Sequence, residues 1–357
     1  MKFKTYLTEA LKAEDYEASI VMGFYELTGR PITDKNPLDY GISDKVFNII
    51  KGNPKALEAG RKIAAQVLKK YPALKTKEAE QYGRAKATLT DFWKSHGASD
   101  ITPKTDVLIG DMRFSVKIGI AQLMSGGKAE STATFEAATK NSNPELKKSP
   151  QYKATTDVLE GFVKSTLAPS QLRPLIKAGT NDVVNKAELA HKECMVELGK
   201  LFNESKSFKV EFAREAMSGY EKIGKTSNAA AEFMLVATAD GGTVKIHSVD
   251  DDDYCLKIAN AMKLQARFKT SSRKLKGVKT GEYNFWSVIS LIVDSMQDSE
   301  ELNESIELQE LKLLRVIRGW VTRTWRKVTT FFKGGIMKLK TFLGITPDPS
   351  FNNKIKF

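Results

Sequence analysis

Apolar residues recur every three to four positions through much of the first 95 residues, as in Ile20, Phe24 and Leu27 and again in Ile63, Val67 and Leu68. That spacing gathers them on one face of a helix and predicts a mainly helical opening. Gly29-Arg30-Pro31 and Gly52-Asn53-Pro54 break the pattern into pieces. The period changes over residues 96–140. Asp106-Val107-Leu108-Ile109 and Met112 to Ile118 read as two short strands, and Gly110-Asp111 between them is a two-residue hairpin turn signal. A Ser125-Gly126-Gly127 loop and a small-residue helix from Ala129 to Thr139 follow.

Residues 150–224 return to helical spacing, entered through Asn141-Ser142-Asn143-Pro144 and interrupted at Pro169 and Pro174. Residues 229–293 read as β-rich. Phe233 to Ala237 and Val244 to His247 flank Asp240-Gly241-Gly242, a second hairpin signal, and Leu264 to Phe268 and Tyr283 to Val293 supply further strands. Phe285 and Trp286 fall in the last of these as core residues. The run Asp250 to Asp253 reads as a solvated turn or helix start, because the spaced ligands and glycine of a calcium loop are absent. The expected class is mixed α+β: a core sheet flanked by helices, with an amphipathic helix at the C-terminal end.

Charge divides the chain further. Of the net charge of +13, ten units fall in residues 311–357, where eleven Lys/Arg face one acid, Asp348. Residues 1–310 carry only +3, so any polyanion site there has to be local. An acidic stretch over 294–310 precedes the basic tail. The expected organisation is therefore a short leader over 1–10, an α/β body over 11–293 (with 11–150 and 151–293 as candidate subdomains), the acidic linker over 294–310 and the tail over 311–357. Cys194 and Cys255 have no metal-ligand spacing, and His96, His191 and His247 are scattered, so the chain offers little material for structural zinc. No run approaches the length of a membrane span, and the N-terminus lacks the apolar centre of a secretory signal. A cytoplasmic site of synthesis is expected.

The first hairpin carries the candidate chemistry. Hydrolysis of a phosphodiester needs a nucleophilic water and relief of phosphate charge, which divalent metals held by carboxylates supply and a lysine assists. By the period of two, Arg113, Ser115 and Lys117 share one strand face and Phe114, Val116 and Ile118 the other. The apolar set is expected to be buried and the polar set to face a cleft or solvent. Asp106 starts the partner strand near the Lys117 end, so a carboxylate and an ammonium converge.

Pro103-Lys104-Thr105-Asp106 followed by Ser115-Val116-Lys117 resembles the PD-(D/E)XK, or restriction-endonuclease-like, nuclease superfamily. The signature there is an acid on one strand and (D/E)-X-K on the next. The resemblance spans about forty residues and implies a Mg²⁺- or Mn²⁺-dependent DNA endonuclease, with Asp106 a metal ligand and Lys117 positioning the water. Gln122 follows where some members place an auxiliary glutamine. The second acid of the signature is Ser115 here. Either the missing carboxylate comes from the helix before the core strands, with Glu17 the first choice and Glu26 the second, or the site is degenerate and the fold is a binding module. In the active nuclease that the resemblance implies, Ser115 and Gln122 would contact the phosphate or support the ligands.

Other features are expected to serve a polyanion. Arg113 and the basic, hydroxyl-rich loop with Lys269, Arg273 and Lys274 suit nucleic-acid contacts. Arg214 and Glu215 sit on a helix before the β-rich block, as a solvated pair or facing the same cleft.

The two ends suggest packaging. Met1 to Ala10 resembles the head-targeting peptides of internal head proteins of T-even-type bacteriophages, and Leu7-Thr8-Glu9-Ala10 fits their prohead-protease site, with cleavage between Glu9 and Ala10. Leu302-Asn303-Glu304-Ser305 repeats that pattern in the acidic linker, where a cut between Glu304 and Ser305 would free the tail. The resemblance implies a virion protein of the phage head interior with capsid, scaffold and prohead protease as partners. In the tail, Leu313, Leu314, Ile317, Val321, Val328 and Phe331 gather on one arc and Lys312, Arg315, Arg323, Arg326 and Lys333 on the other. Such a helix over 311–333 can bind packaged DNA, lie on an anionic membrane, or dock on the body. A non-enzymatic DNA-binding virion protein and a membrane-active ejection protein are therefore the alternatives to a nuclease.

Overall fold

A computed structural model describes residues 11–293, except 34–35, 84–88, 99–101, 120, 125–127, 161, 166–170, 172–173, 176–177, 179–181 and 272–282. All of these lie in the first of two compact units, Met1–Met296. The class is mixed α+β, as the periodicity indicates.

The opening helices start and stop where local chemistry dictates. Helix α1, Ala13–Leu27, closes its first turn when the Asp15 carboxylate accepts from the Lys12 backbone N–H at 2.8 Å. Helix α2, Asp44–Lys51, is capped by the Ser43 hydroxyl, and α3, Pro54–Lys70, by the Asn53 side chain with Pro54 in the first position. The breakers at 29–31 and 52–54 thus sit between helices. Helices α1 and α3 cross closely. A Cβ at Gly23 would stand 2.5 Å from the Arg61 nitrogen, and one at Gly60 would stand 2.1 Å from the Ser19 carbonyl oxygen. Only glycine permits this approach, and it fixes α1 against the rest of the layer.

Strands β1 (Ala79–Gln81), β2 (Val107–Ile109), β3 (Met112–Ile118), β6 (Phe233–Ala237) and β7 (Val244–Ser248) form a five-stranded sheet in the order β1-β2-β3-β6-β7. Every pairing is antiparallel except β3 with β6. The β2–β3 turn has Gly110 at φ 59° and no non-glycine residue at positive φ, the pattern of a II′ turn with glycine first. Strands from both halves of the body meet in this one sheet, so residues 11–150 and 151–293 share a core.

Alternation along the strands divides that core. Val107, Ile109, Phe114, Val116, Leu235 and Ile246 pack under α1, α2 and α3. Met234 and Val236 point the other way, into a cluster with Phe135 of α5 (Lys128–Ser142), Phe208 and Phe212 of α8 (Lys206–Ser218), and Ile258 of α10 (Asp252–Ala261). The sheet is the middle of three layers. Asp251 caps α10, accepting from the Asp253 and Tyr254 backbone N–H groups, so the Asp250–Asp253 run is a helix start.

Helices α4 (Asp91–Ser95), α6 (Pro150–Glu160), α7 (Asp182–Glu204) and α9 (Tyr220–Ile223) complete the helical set among the described residues. A second sheet pairs β9 (Tyr283–Val293) with β4 (Ala121–Gln122), β5 (Phe162–Ser165) and β8 (Met262–Ser271). Strands β1 and β5 lie where helical spacing was expected. Each is only three or four residues long, too short to show a period. Among the described residues, no helix is long and apolar enough to cross a membrane.

Candidate active site

Strand β3 outruns β2 at the end away from their turn. Where β2 would continue, Asp106 takes over. Its backbone N–H donates to the Phe114 carbonyl at 2.8 Å, its carbonyl accepts from the Tyr82 N–H at 2.9 Å, and its Oδ2 accepts from the Val116 N–H at 2.7 Å. The same Oδ2 accepts from the Ser115 hydroxyl and from the Lys117 ammonium, each at 3.1 Å. A carboxylate held by a backbone N–H, a hydroxyl and an ammonium cannot swing freely. The Asp106 and Lys117 side chains keep 21% and 19% of their surface exposed, so the group is reachable from solvent.

Glu17 of α1 joins this group. Its Oε2 accepts from the Gln81 side-chain amide at 2.9 Å, and the same amide nitrogen donates to the Glu14 carbonyl at 3.0 Å. Burial, and next the nearby negative charge of Asp106, push the Glu17 carboxyl up to about 7; the Gln81 hydrogen bond and Lys117 only partly oppose this. Lys117 thus pairs directly with Asp106 and acts on Glu17 only as a nearby charge. Glu26, the other glutamate considered, is exposed near the far end of α1, about 13 Å further along the helix axis.

The polar face of β3 departs from expectation. Arg113 and Ser115 are buried, at 6% and 2% exposure, rather than facing a cleft, because the second helical layer covers that face. The Arg113 guanidinium donates to the Lys225 and Ser227 carbonyls and pairs with Glu232. That corrects its assignment as a nucleic-acid contact: the group is committed inside the fold. Ser115 serves as a donor to Asp106. The backbone of Gln122 belongs to β4 of the second sheet, and that of Lys269 to β8. Arg273, Lys274, Glu9, Ala10, Glu304, Ser305 and the tail over 311–357 lie outside the described residues.

Glu215 overturns the solvated-pair reading. It is buried at 3% exposure, and its carboxylate accepts from the Glu221 and Lys222 backbone N–H groups. Lys222, fully buried, donates to the Thr134 hydroxyl at 2.9 Å and lies 3.8 Å from Glu130 and 3.9 Å from Glu215. Lys104, two residues before Asp106, donates to Glu130 and to the Leu123 carbonyl, each at 2.8 Å. Burial, then the Lys104 charge, pull the Lys222 ammonium down to about 8, while burial pushes the Glu215 carboxyl up. Arg214 binds Glu211, Asp252 and the Val249 carbonyl. No local pattern marked Lys104, Glu130 or Lys222, since their partners are far apart in sequence.

A cavity of about 460 Å³ opens beside Arg214, Tyr220, Lys225 and Asp250. Its charges are already paired, Lys225 with Asp250 at 3.2 Å and Lys140 with Glu221 at 2.9 Å.

The donor set at Glu17 and Asp106 suits a hard divalent cation. Both donors are carboxylate oxygens, and Mg²⁺ is commonly held by one or two carboxylates while keeping several waters. Among the described residues, no cluster of three or more His, Cys, Asp or Glu could hold a metal ion. No family model, curated protein or solved structure matches the chain.

Proposed function

We propose that the Glu17–Asp106–Lys117 site hydrolyses phosphodiester bonds of DNA in a metal-dependent reaction of the PD-(D/E)XK kind. The observation that carries this reading is the placement of Glu17, from the helix before the core strands, where its carboxylate accepts from Gln81, itself paired opposite Val107, and feels the charges of Asp106 and Lys117. A carboxylate from the helix answers the absence of an acid at Ser115. Glu17 and Asp106 would hold a Mg²⁺ or Mn²⁺ ion. When bound, such an ion relieves charge on a phosphoryl oxygen and makes a nucleophile of water near neutral pH. Ser115 and the Val116 N–H orient the Asp106 carboxylate. Lys117 places a positive charge beside it and orients the attacking water.

Plasmid cleavage in Mg²⁺ or Mn²⁺ tests this. Asp106→Ala and Lys117→Ala are each expected to lower the rate by about 100-fold or more. Equal cutting by wild type and both variants overturns it. The resemblance of the first ten residues to head-targeting peptides sets the reaction in a phage head; an uncut N-terminus in virion-derived protein, read by intact mass, would argue against that setting. A wild type that cuts no DNA, yet binds it in a salt-sensitive way that vanishes when 311–357 are deleted, favours a degenerate nuclease fold acting as a DNA-binding virion protein. Liposome leakage by a peptide covering 311–333 favours membrane action in ejection.

A further inference from the structure

Gln81 occupies a position that no sequence signal marked. It ends β1, the three-residue edge strand, opposite Val107, the residue after Asp106. Its amide nitrogen has two hydrogens and two acceptors, the Glu14 carbonyl at 3.0 Å and Glu17 Oε2 at 2.9 Å. Both acceptors lack hydrogens at neutral pH when Glu17 is ionised, so only the nitrogen end of the amide can face them. The contact to the Glu14 carbonyl anchors the amide on the helix backbone. The contact to Oε2 then holds the Glu17 carboxylate by one oxygen and, among the described residues, leaves Oε1 without a hydrogen bond.

A glutamate near another carboxylate is repelled by it and gains by rotating away toward water. Gln81 opposes that rotation. We propose that Gln81 is a positioning residue that holds the Glu17 carboxylate beside Asp106, ready for a hard divalent cation of the Mg²⁺ or Mn²⁺ class. The inference rests on the metal-dependent reading above. A purely structural alternative exists on the same hydrogen bonds: Gln81 would only clip α1 to β1. The two differ in what its loss does to metal affinity.

The test uses the full chain and Mn²⁺ as the probe. Wild type, Gln81→Met and Asp106→Ala are compared by calorimetric Mn²⁺ titration and by the paramagnetic resonance signal of free Mn²⁺. Methionine keeps the length of the side chain and removes the donors. Gln81→Met is expected to melt within about 2–4 °C of wild type in EDTA and to bind Mn²⁺ about tenfold more weakly, the effect usual for a group that orients a metal ligand. At fixed sub-saturating Mn²⁺ its kcat falls while its KM for DNA holds, and raising Mn²⁺ restores kcat. Mn²⁺ affinity within about twofold of wild type overturns the role of Gln81 and leaves the site reading standing. No Mn²⁺ binding by wild type, or binding that survives Asp106→Ala, overturns the site reading and the role of Gln81 with it. Gln81→Asn, which keeps the amide on a shorter stem, supplies the same comparison if the methionine variant does not fold.

Discussion

Two charged clusters lie close together in sequence at Lys104 and Asp106 and have opposite designs. In one, Lys104 and Lys222 meet Glu130 and Glu215 between helices, two positive charges against two negative, with Lys222 fully buried. In the other, Lys117 pairs with Asp106 while Glu17 lies within reach of both charges, two negative against one positive, and the group stays partly open. Burial of charge is costly unless pairing is complete. The balanced cluster meets that condition with protein groups alone, so it ties α5, α8 and α9 to the segment that leads into Asp106. The unbalanced cluster does not meet it, and a divalent cation would supply the missing positive charge. Charge balance, more than the number of charged residues, separates a joint in the architecture from a site.

Breaking the balanced cluster should produce the largest effect. Lys222→Met leaves Glu215 and Glu130 short of a partner inside the protein, and a loss of about 3–5 kcal/mol is expected. Urea denaturation of the body, followed by circular dichroism, measures it; a change under 1 kcal/mol would mean that the cluster is not a joint.

Glu17→Gln should act in the opposite direction. The folded-state pKa of Glu17 lies near 7, above its ordinary value of 4.5, so the folded protein holds the proton more tightly than the unfolded chain. Stability contributed by that proton is present below pH 4.5 and is lost as pH rises through about 7. Removing the charge therefore helps metal-free protein at pH 8 and little at pH 4, with a difference on the order of 3 kcal/mol. Melting curves in EDTA across that range test the sign. A variant less stable than wild type at pH 8 would contradict the repulsion.

Ser115→Asp sharpens the comparison by making the open cluster still more acidic. An added carboxylate at a 2% exposed position beside Asp106 should cost about 1–3 kcal/mol in EDTA. It should also tighten Mn²⁺ binding, since it restores the acid of the nuclease signature. Unchanged affinity with the same loss of stability would show that position 115 does not face the cation. The smallest effect belongs to a pair outside both clusters. Lys153 and Asp157 are 75% and 61% exposed, and Lys153→Ala should change stability by less than about 0.5 kcal/mol.

Part of the site is legible in the sequence. Gly110-Asp111 marked a turn because glycine tolerates the positive φ that it adopts there, and Asp106 and Lys117 then fell near one end of one hairpin. Glu17, the leading helical carboxylate on sequence grounds, accepts from Gln81 at 2.9 Å, and Gln81 pairs opposite Val107. Gln81 could not be found, because a three-residue strand has no period and its partners lie 64 and 67 residues away. Arg113 and Ser115 were placed on the correct strand face and assigned the wrong environment. A period of two tells which residues share a face, and it says nothing about whether a second layer covers that face.

What the sequence determined by itself is local: helix starts at Ser43, Asn53 and Asp251, the turn at Gly110, and the side-by-side placement of Ser115 and Asp106 on the hairpin. Each depends on groups a few residues apart, so hydrogen bonds within a turn or a strand pair suffice. Only the tertiary structure decided that Gln81 and Glu17 come to the Asp106 end of the hairpin, and that Lys104, Glu130, Glu215 and Lys222 close on one another. Those meetings require helix α1 to be seated by its close crossing with α3 and the second helical layer to be laid over β3. Such long-range packing sets burial, and burial sets which charges must be balanced within the protein.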